Sequence, residues 1–186
     1  MNRVELLVPA GNKECAIAAI KNKADAIYLG GKFFNSRTYA DNFTNEDLEE
    51  IVRLAHLYNI KVYVTLNTIV FNSEVKTFIK YGQFLNEIKV DAVIMQDIGM
   101  MSLVHSYFKN LVIHASTQVN NYNEYTLMFL KKLGVKRVVV AREMSLEKIK
   151  KIKKYIDEIE VFVYGALCVS YSGNCLMSYF KGGRSA

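Results

Sequence analysis

Cys168 and Cys175 stand seven positions apart around Val169-Ser170-Tyr171-Ser172-Gly173-Asn174, in a stretch that reads as a loop after the last strand. Thiolates ligate zinc and iron–sulfur clusters, but this spacing is not the tight C-x-x-C of zinc ribbons or simple ferredoxins. Two thiols are also half of what a four-coordinate site requires. Spacing alone leaves metal ligation and inert thiols equally open. A cysteine nucleophile needs a base and an orienting group. His114 is the candidate base, although nothing in the sequence sets it beside Cys168. No G-x-S-x-G elbow supports a serine triad.

Asp97 and Glu143 are carboxylates able to act as acid or base, and Arg142 can clamp a carboxylate or phosphate through two parallel N–H bonds. Arg142 and Glu143 can equally pair with neighbouring loops. His114 closes the fifth strand, as proton carrier, ligand or hydrogen-bonded core residue. Gln118 follows in the polar run Ser116-Thr117-Gln118. Cys15, beside Ala16, Ala18, Ala19 and Ile20, reads as a small buried hydrophobe. His56 and His105 fall on helix stripes and read as structural.

The elements that must position these groups alternate along the chain. Short runs rich in Val, Ile and Tyr predict strands at Glu5–Pro9, Ala26–Leu29, Lys61–Leu66, Ala92–Gln96, Val112–Ala115, Arg137–Ala141 and Glu160–Val163. Their continuous apolar character suits a parallel sheet covered on both faces. Between them run helical periods. Thr44 with Asp47 forms a short capping box ahead of Leu48, Ile51, Ala55 and Tyr58, and Asn12 is a second N-cap. From Ser145 to Ile159 an apolar stripe of Leu146, Ile149, Ile152, Ile156 and Ile159 opposes Lys148, Lys150, Lys151, Lys153 and Lys154. That lysine run is either a solvated outer face or a seat for RNA phosphates.

Seven strand–helix units without a linker predict an α/β fold, a (β/α)8 TIM-barrel-like domain that is incomplete. No G-x-G-x-x-G follows the first strand, which speaks against an open dinucleotide-binding sheet. In such a barrel function gathers where strands end. The strand ends supply Pro9-Ala10-Gly11, Gly30-Gly31, Thr65 and Asn67, Gln96-Asp97, Ser116-Thr117-Gln118, Arg142-Glu143 and Tyr164-Gly165. As a set they predict one pocket for a small polar ligand.

The 186 residues are 51% hydrophobic and carry a net charge of +6, which excludes intrinsic disorder and permits an anionic partner. No apolar run is long enough to span a bilayer, and the first residues lack a signal-peptide pattern. The expectation is a cytoplasmic protein with reduced thiols and no membrane partner.

The run Glu160-Val-Phe162-Val-Tyr-Gly165-Ala166-Leu167-Cys168, followed by Gly173-Asn-Cys175-Leu-Met-Ser178, resembles the signature of peptidase family U32, also called collagenase-like. Leu7–Gly11, Asp25–Gly31, Asn42-Phe43-Thr44, Gln96-Asp97, His114–Gln118 and Lys136–Glu143 resemble further blocks of that family. The resemblance implies that residues 1–186 are its N-terminal, barrel-like catalytic domain, ending before the remaining cysteines and any C-terminal domain. It implies hydroxylation of a base in tRNA or rRNA, with a small anionic co-substrate such as prephenate, for which Arg142 is the best carboxylate partner. Other relatives serve oxygen-independent hydroxylation in ubiquinone synthesis. Cys168 and Cys175 match the first two of four cysteines that hold a four-iron, four-sulfur cluster in several relatives, so the full-length protein is expected to carry one and this chain an incomplete set. The alternatives are a peptidase, as the family label says, and a non-catalytic domain that binds RNA or protein. An incomplete barrel is also expected to dimerise over its exposed strand edges.

Overall fold

Each strand of the protein pairs with the strand that follows it in the chain, so the sheet order simply repeats the sequence order. In the computed structural model, which describes residues 4–37, 41–165 and 168–175, all of these pairs are parallel. The strands are β1 (Leu7–Ala10), β2 (Ala26–Gly30), β3 (Lys61–Leu66), β4 (Ala92–Met95), β5 (Val112–Ala115), β6 (Val135–Val139) and β7 (Glu158–Glu160). The helices α1 (Lys13–Lys21), α2 (Asn45–Leu57), α3 (Val75–Glu87), α4 (Ile98–Tyr107), α5 (Glu124–Lys132) and α6 (Leu146–Ile152) connect them. The result is an open, barrel-like sheet of seven β/α units, the incomplete barrel that periodicity predicted.

Alternation along each strand sends successive side chains to opposite faces. One face, with Ile27, Leu29, Val62, Val64 and Val93, packs against helix residues such as Leu48, Ile51 and Leu85 in the main core. The other face turns inward and holds a smaller cluster of Ala26, Tyr63, Ala92 and Ile94, flanked by Leu7 and Tyr28. The helices begin where local chemistry places them. Asn12 caps α1, and Thr44 with Asp47 closes a full capping box on α2.

Some expectations require correction. Cys15 is exposed, because α1 buries only Ala16, Ala19 and Ile20 and a residue about 100° around the helix from Ala16 falls outside that stripe. Tyr58 follows α2 as its C-cap and is exposed, while Leu48, Ile51 and Ala55 are buried as expected. The single long helix expected from Ser145 to Ile159 ends at Ile152, and Leu146 lies exposed. A 3-10 turn over Lys153–Tyr155 leads straight into β7, so Ile159 belongs to a strand. That strand lies two residues earlier than predicted, in register with Arg137–Val139 of β6.

Inside the sheet, below the inward apolar cluster, sits a charged one. Arg137 is buried on β6, with Nη1 donating to Glu5 Oε1 at 2.6 Å and Nε to Glu158 Oε2 at 2.7 Å. Its guanidinium lies 5.2 Å from the centre of the Tyr63 ring, whose hydroxyl donates to Glu5 at 2.8 Å. Burial opposes ionisation of Glu5, but hydrogen bonds from Arg137, Lys61 and Tyr63 win and hold its carboxyl at about 2. Glu5 precedes β1 and Arg137 lies on β6, so this pair ties the two sides of the open sheet together.

Candidate functional site

A cavity of about 500 Å³ opens at the C-terminal ends of the strands. Its floor comes from the inward faces of Thr65, Ile94, Val139 and Glu160, and its sides from Pro9–Gly11, Gly30, Asn67 and Ser116–Gln118. The sequence expectation of converging strand ends is thus met by β1, β2, β3, β5 and β6. Cys168, Tyr171 and Cys175 line it from the loop after β7.

A further wall was not anticipated. The segment between β2 and α2 folds back over the mouth and contributes Asn35, Ser36, Arg37 and Asn42. Short amide side chains build this wall. Asn35 donates to Asn42 Oδ1 at 2.6 Å and accepts from Thr65 Oγ1 at 3.1 Å, while Asn67 donates to Ser36 Oγ at 2.8 Å and accepts from the Ser36 N–H. Gly30 permits the fold-back, since a Cβ there would stand 2.1 Å from Asn35 Nδ2. The only hint in the sequence was density of Asn, Ser and Arg in a long connection, which strand ends alone do not reveal.

The expected acid, base and clamp residues take distinct places. Asp97 does not line the cavity. Its Oδ1 caps α4 by accepting from the Met100 N–H, and its Oδ2 accepts from the Val70 N–H, so it ties two strand-end loops together. Glu143 also stands behind the wall, its Oε1 accepting from Ser172 N–H at 2.8 Å and its Oε2 from the Tyr122 hydroxyl. Although partial burial opposes it, these bonds hold the Glu143 carboxyl below the usual range. Arg142 does line the cavity, but the cysteine loop engages it. Its Nη1 donates to the Cys168 carbonyl and its Nη2 to the Ser170 carbonyl, each at 2.8 Å, with Nε 3.3 Å from Ser172 Oγ. Arg142 and Glu143 together hold the 168–175 loop over the mouth.

His114 lies beneath the floor, 3% exposed, with its ring edge-on to Tyr63 at 4.7 Å. Burial, helped by the Arg137 charge, pushes it down to about 3, so the imidazole is neutral, and its Nδ1 has no hydrogen-bond partner among the described residues. It therefore does not face Cys168 across the cavity. Gln118 does face the cavity, and its Oε1 is buried with no hydrogen-bond partner among the described residues. Glu160 Oε2 shares both properties. Buried polar atoms are nearly always satisfied, so two orphans on one cavity mark a surface that a polar ligand would complete.

Cys168 is exposed and Cys175 half-buried, both on the cavity rim. Among the described residues, no group of three or more His, Cys, Asp or Glu side chains is placed to hold a metal ion. The donor set here fits two positions of a four-cysteine cluster and does not fill it. Residues 166–167 and 176–186, including Ser178 of the signature, lie outside the described residues. No described helix is long and apolar enough to cross a membrane.

Comparison with known proteins places this geometry. The family described as peptidase family U32 matches residues 11–186. An uncharacterized protease of Methanocaldococcus jannaschii is 42% identical over 192 residues, covering 100% of this chain and 46% of its own length. The tRNA hydroxylation protein P of Escherichia coli K12 is 39% identical over 180 residues, covering 96% of this chain and 40% of that protein. The chain thus spans less than half the length of these curated relatives. A solved structure of a U32 peptidase superposes with a TM-score of 0.71 at 12% identity, over 86% of this chain and 67% of that one, a likeness of fold.

Proposed function

The chain belongs to peptidase family U32, and from that premise we propose that it serves the hydroxylation of an RNA base, in tRNA or rRNA, with the cavity as the seat of a small anionic co-substrate of the prephenate type. The observation that carries this reading is the meeting of two thiols with a polar, mostly uncharged cavity at the strand ends. A relative named for tRNA hydroxylation supports it. Among the described residues, the charged side chains lining the cavity are Arg37, Arg142 and Glu160, a set that favours an anion. Asn35, Asn67 and Ser116 offer hydrogen bonds to orient it, and Phe162 and Ile94 supply apolar walls. A four-iron, four-sulfur cluster would supply redox chemistry at the rim, with Cys168 and Cys175 as two of its ligands. The residues described here bind and orient the small molecule, while Arg142 and Glu143 fix the loop that carries both thiols. The setting is cytoplasmic, where those thiols remain reduced.

A cysteine peptidase is less well served. Among the described residues lining the cavity there is no imidazole, and a Cys168 nucleophile would need one nearby. The experiment is to express the full-length protein and its Cys168→Ala and Cys175→Ala variants in cells lacking their own hydroxylation protein. Mass spectrometry of tRNA and rRNA nucleosides is the readout, with anaerobic iron–sulfide reconstitution of each purified protein. Restoration of a hydroxylated base by the parent and not by the variants is expected. Cleavage of peptides that survives Cys168→Ala, with no change in any RNA base, would overturn the reading.

A further inference from the structure

Three carboxyl groups surround one guanidinium inside the barrel. Arg137 gives Nη1 to Glu5 and both Nε and Nη2 to Glu158. Glu160 remains as the third, its Oε2 3.6 Å from Arg137 Nη1, too far for a hydrogen bond. Lys61 adds a second cation, but it binds Glu5 at 2.9 Å. Glu160 is therefore the surplus carboxyl of the cluster, and its side chain is 15% exposed while that of Glu158 is 52% exposed. Unlike Glu5 and Glu158, it lines the cavity, where Oε2 has no hydrogen bond among the described residues.

We propose that Glu160 is the hydrogen-bond donor of the cavity floor: its protonated carboxyl gives a hydrogen bond to an oxygen of a small anionic ligand, whose charge is met by Arg37 at the rim. The inference rests on the reading of the cavity as a co-substrate site and adds the group that recognises the ligand. An ionised carboxylate would repel an anion at this depth, whereas a protonated one presents a donor to it. Burial pushes Glu160 up to about 7, against the pull of Arg137 and with the help of Glu5. The neighbours do not compete for that role. Glu5 is held at about 2 and His114 at about 3, and burial pushes the hydroxyls of Tyr28 and Tyr63 up. Arg137 keeps its charge and binds Glu158 twice, and Lys61 is hydrogen-bonded to Glu5. Glu5, Tyr28, Tyr63 and His114, which face Glu160 from the segment before β1 and from β2, β3 and β5, are all moved away from neutrality. Arg37 comes from the wall loop and also bonds the Tyr28 hydroxyl.

The test uses the full chain and succinate as the probe. Carbon-13 NMR of glutamate-labelled protein should show one carboxyl titrating near pH 7 that is absent from Glu160→Gln. Succinate affinity by calorimetry should be flat below about pH 7 and fall about tenfold for each pH unit above it, as binding requires the proton. Glu160→Gln retains a donor, so it should bind succinate without that pH dependence, whereas Glu160→Ala should lose at least tenfold. A Glu160 carboxyl that titrates in the ordinary range overturns the proposal, whether or not the variants fold. So does pH-independent binding by the parent chain, or no binding of succinate at high millimolar concentration. Failure of RNA hydroxylation with the Glu160 titration and succinate linkage intact would instead overturn the RNA reading and leave this proposal standing.

Discussion

Replacing Arg137 by methionine keeps much of the side-chain volume on β6 and removes the charge that Glu5, Glu158 and Glu160 share. Removing one member of a buried ion pair costs about 3–5 kcal/mol, because its partner stays behind uncompensated. Here Glu158 is half exposed and recovers water, and Lys61 still holds Glu5, so the lower end applies, about 3 kcal/mol at pH 7. That is a large share of the roughly 5–15 kcal/mol that holds a domain folded. The pH dependence gives the sharper discrimination. In the parent chain the depressed Glu5 carboxyl contributes stability that is present above about pH 4.5 and lost as pH falls towards about 2. Without Arg137 that depression weakens and Glu160 rises further, so the variant gains relative stability as pH falls from 7 towards 4.5. Urea unfolding of both proteins across that range should show the gap closing. Adding Glu5→Gln to the variant should restore part of the loss at pH 7. A loss below about 1 kcal/mol, or a gap equal at pH 5 and pH 7, would refute the account of the interior cluster.

Three other perturbations address the floor, the wall and the loop. His114→Leu removes a buried neutral imidazole whose titration is pushed down to about 3; the parent should therefore lose stability as pH falls from about 6.5 towards 3, by at most roughly 5 kcal/mol, and the variant should show a flatter urea-midpoint profile. Gly30→Ala forces a Cβ against Asn35 and should cost about 1–3 kcal/mol, with faster amide exchange at Ser36 and Arg37 as the local readout. Arg142→Gln removes charge-assisted bonds to the cysteine loop worth about 1.5–3 kcal/mol each, so Cys175 should react with a thiol reagent at least about tenfold faster. Unfolding of the barrel itself should hardly change, and an unchanged thiol rate would show that the loop is held by other contacts.

Much of this architecture is legible in the residues because the outward strand face is continuous hydrocarbon and each strand end is polar. β3 and β5 fall where the Val, Ile and Tyr runs predict them. β7 does not, because Glu158 and Glu160 are strand residues whose side chains turn towards the interior cluster and break the apolar signal. Asp97, Arg142 and Glu143 show the limit at the site. Their types and positions are readable, but whether a polar side chain turns towards a cavity or towards a neighbouring loop depends on backbone amides far away in sequence, such as Val70 and Ser172. The wall of Asn35, Ser36 and Arg37 escapes notice for a related reason, since its place is set by Thr65 on the next strand and by Asn67 just after it.

The sheet order has a consequence for how the chain acquires its shape. Because every strand pairs with its sequence neighbour, each new unit can dock on the one before it with a single crossover of 15 to 30 residues to close. Assembly can follow synthesis, one β/α unit after another, as the N-terminal part emerges first. The bond from Arg137 to Glu5 spans 132 positions and cannot form until β6 is in place. Lys61 and Tyr63 lie nearer in the chain, so the bonds they give to Glu5 can form earlier, and the guanidinium of β6 is the last of the three donors to become available.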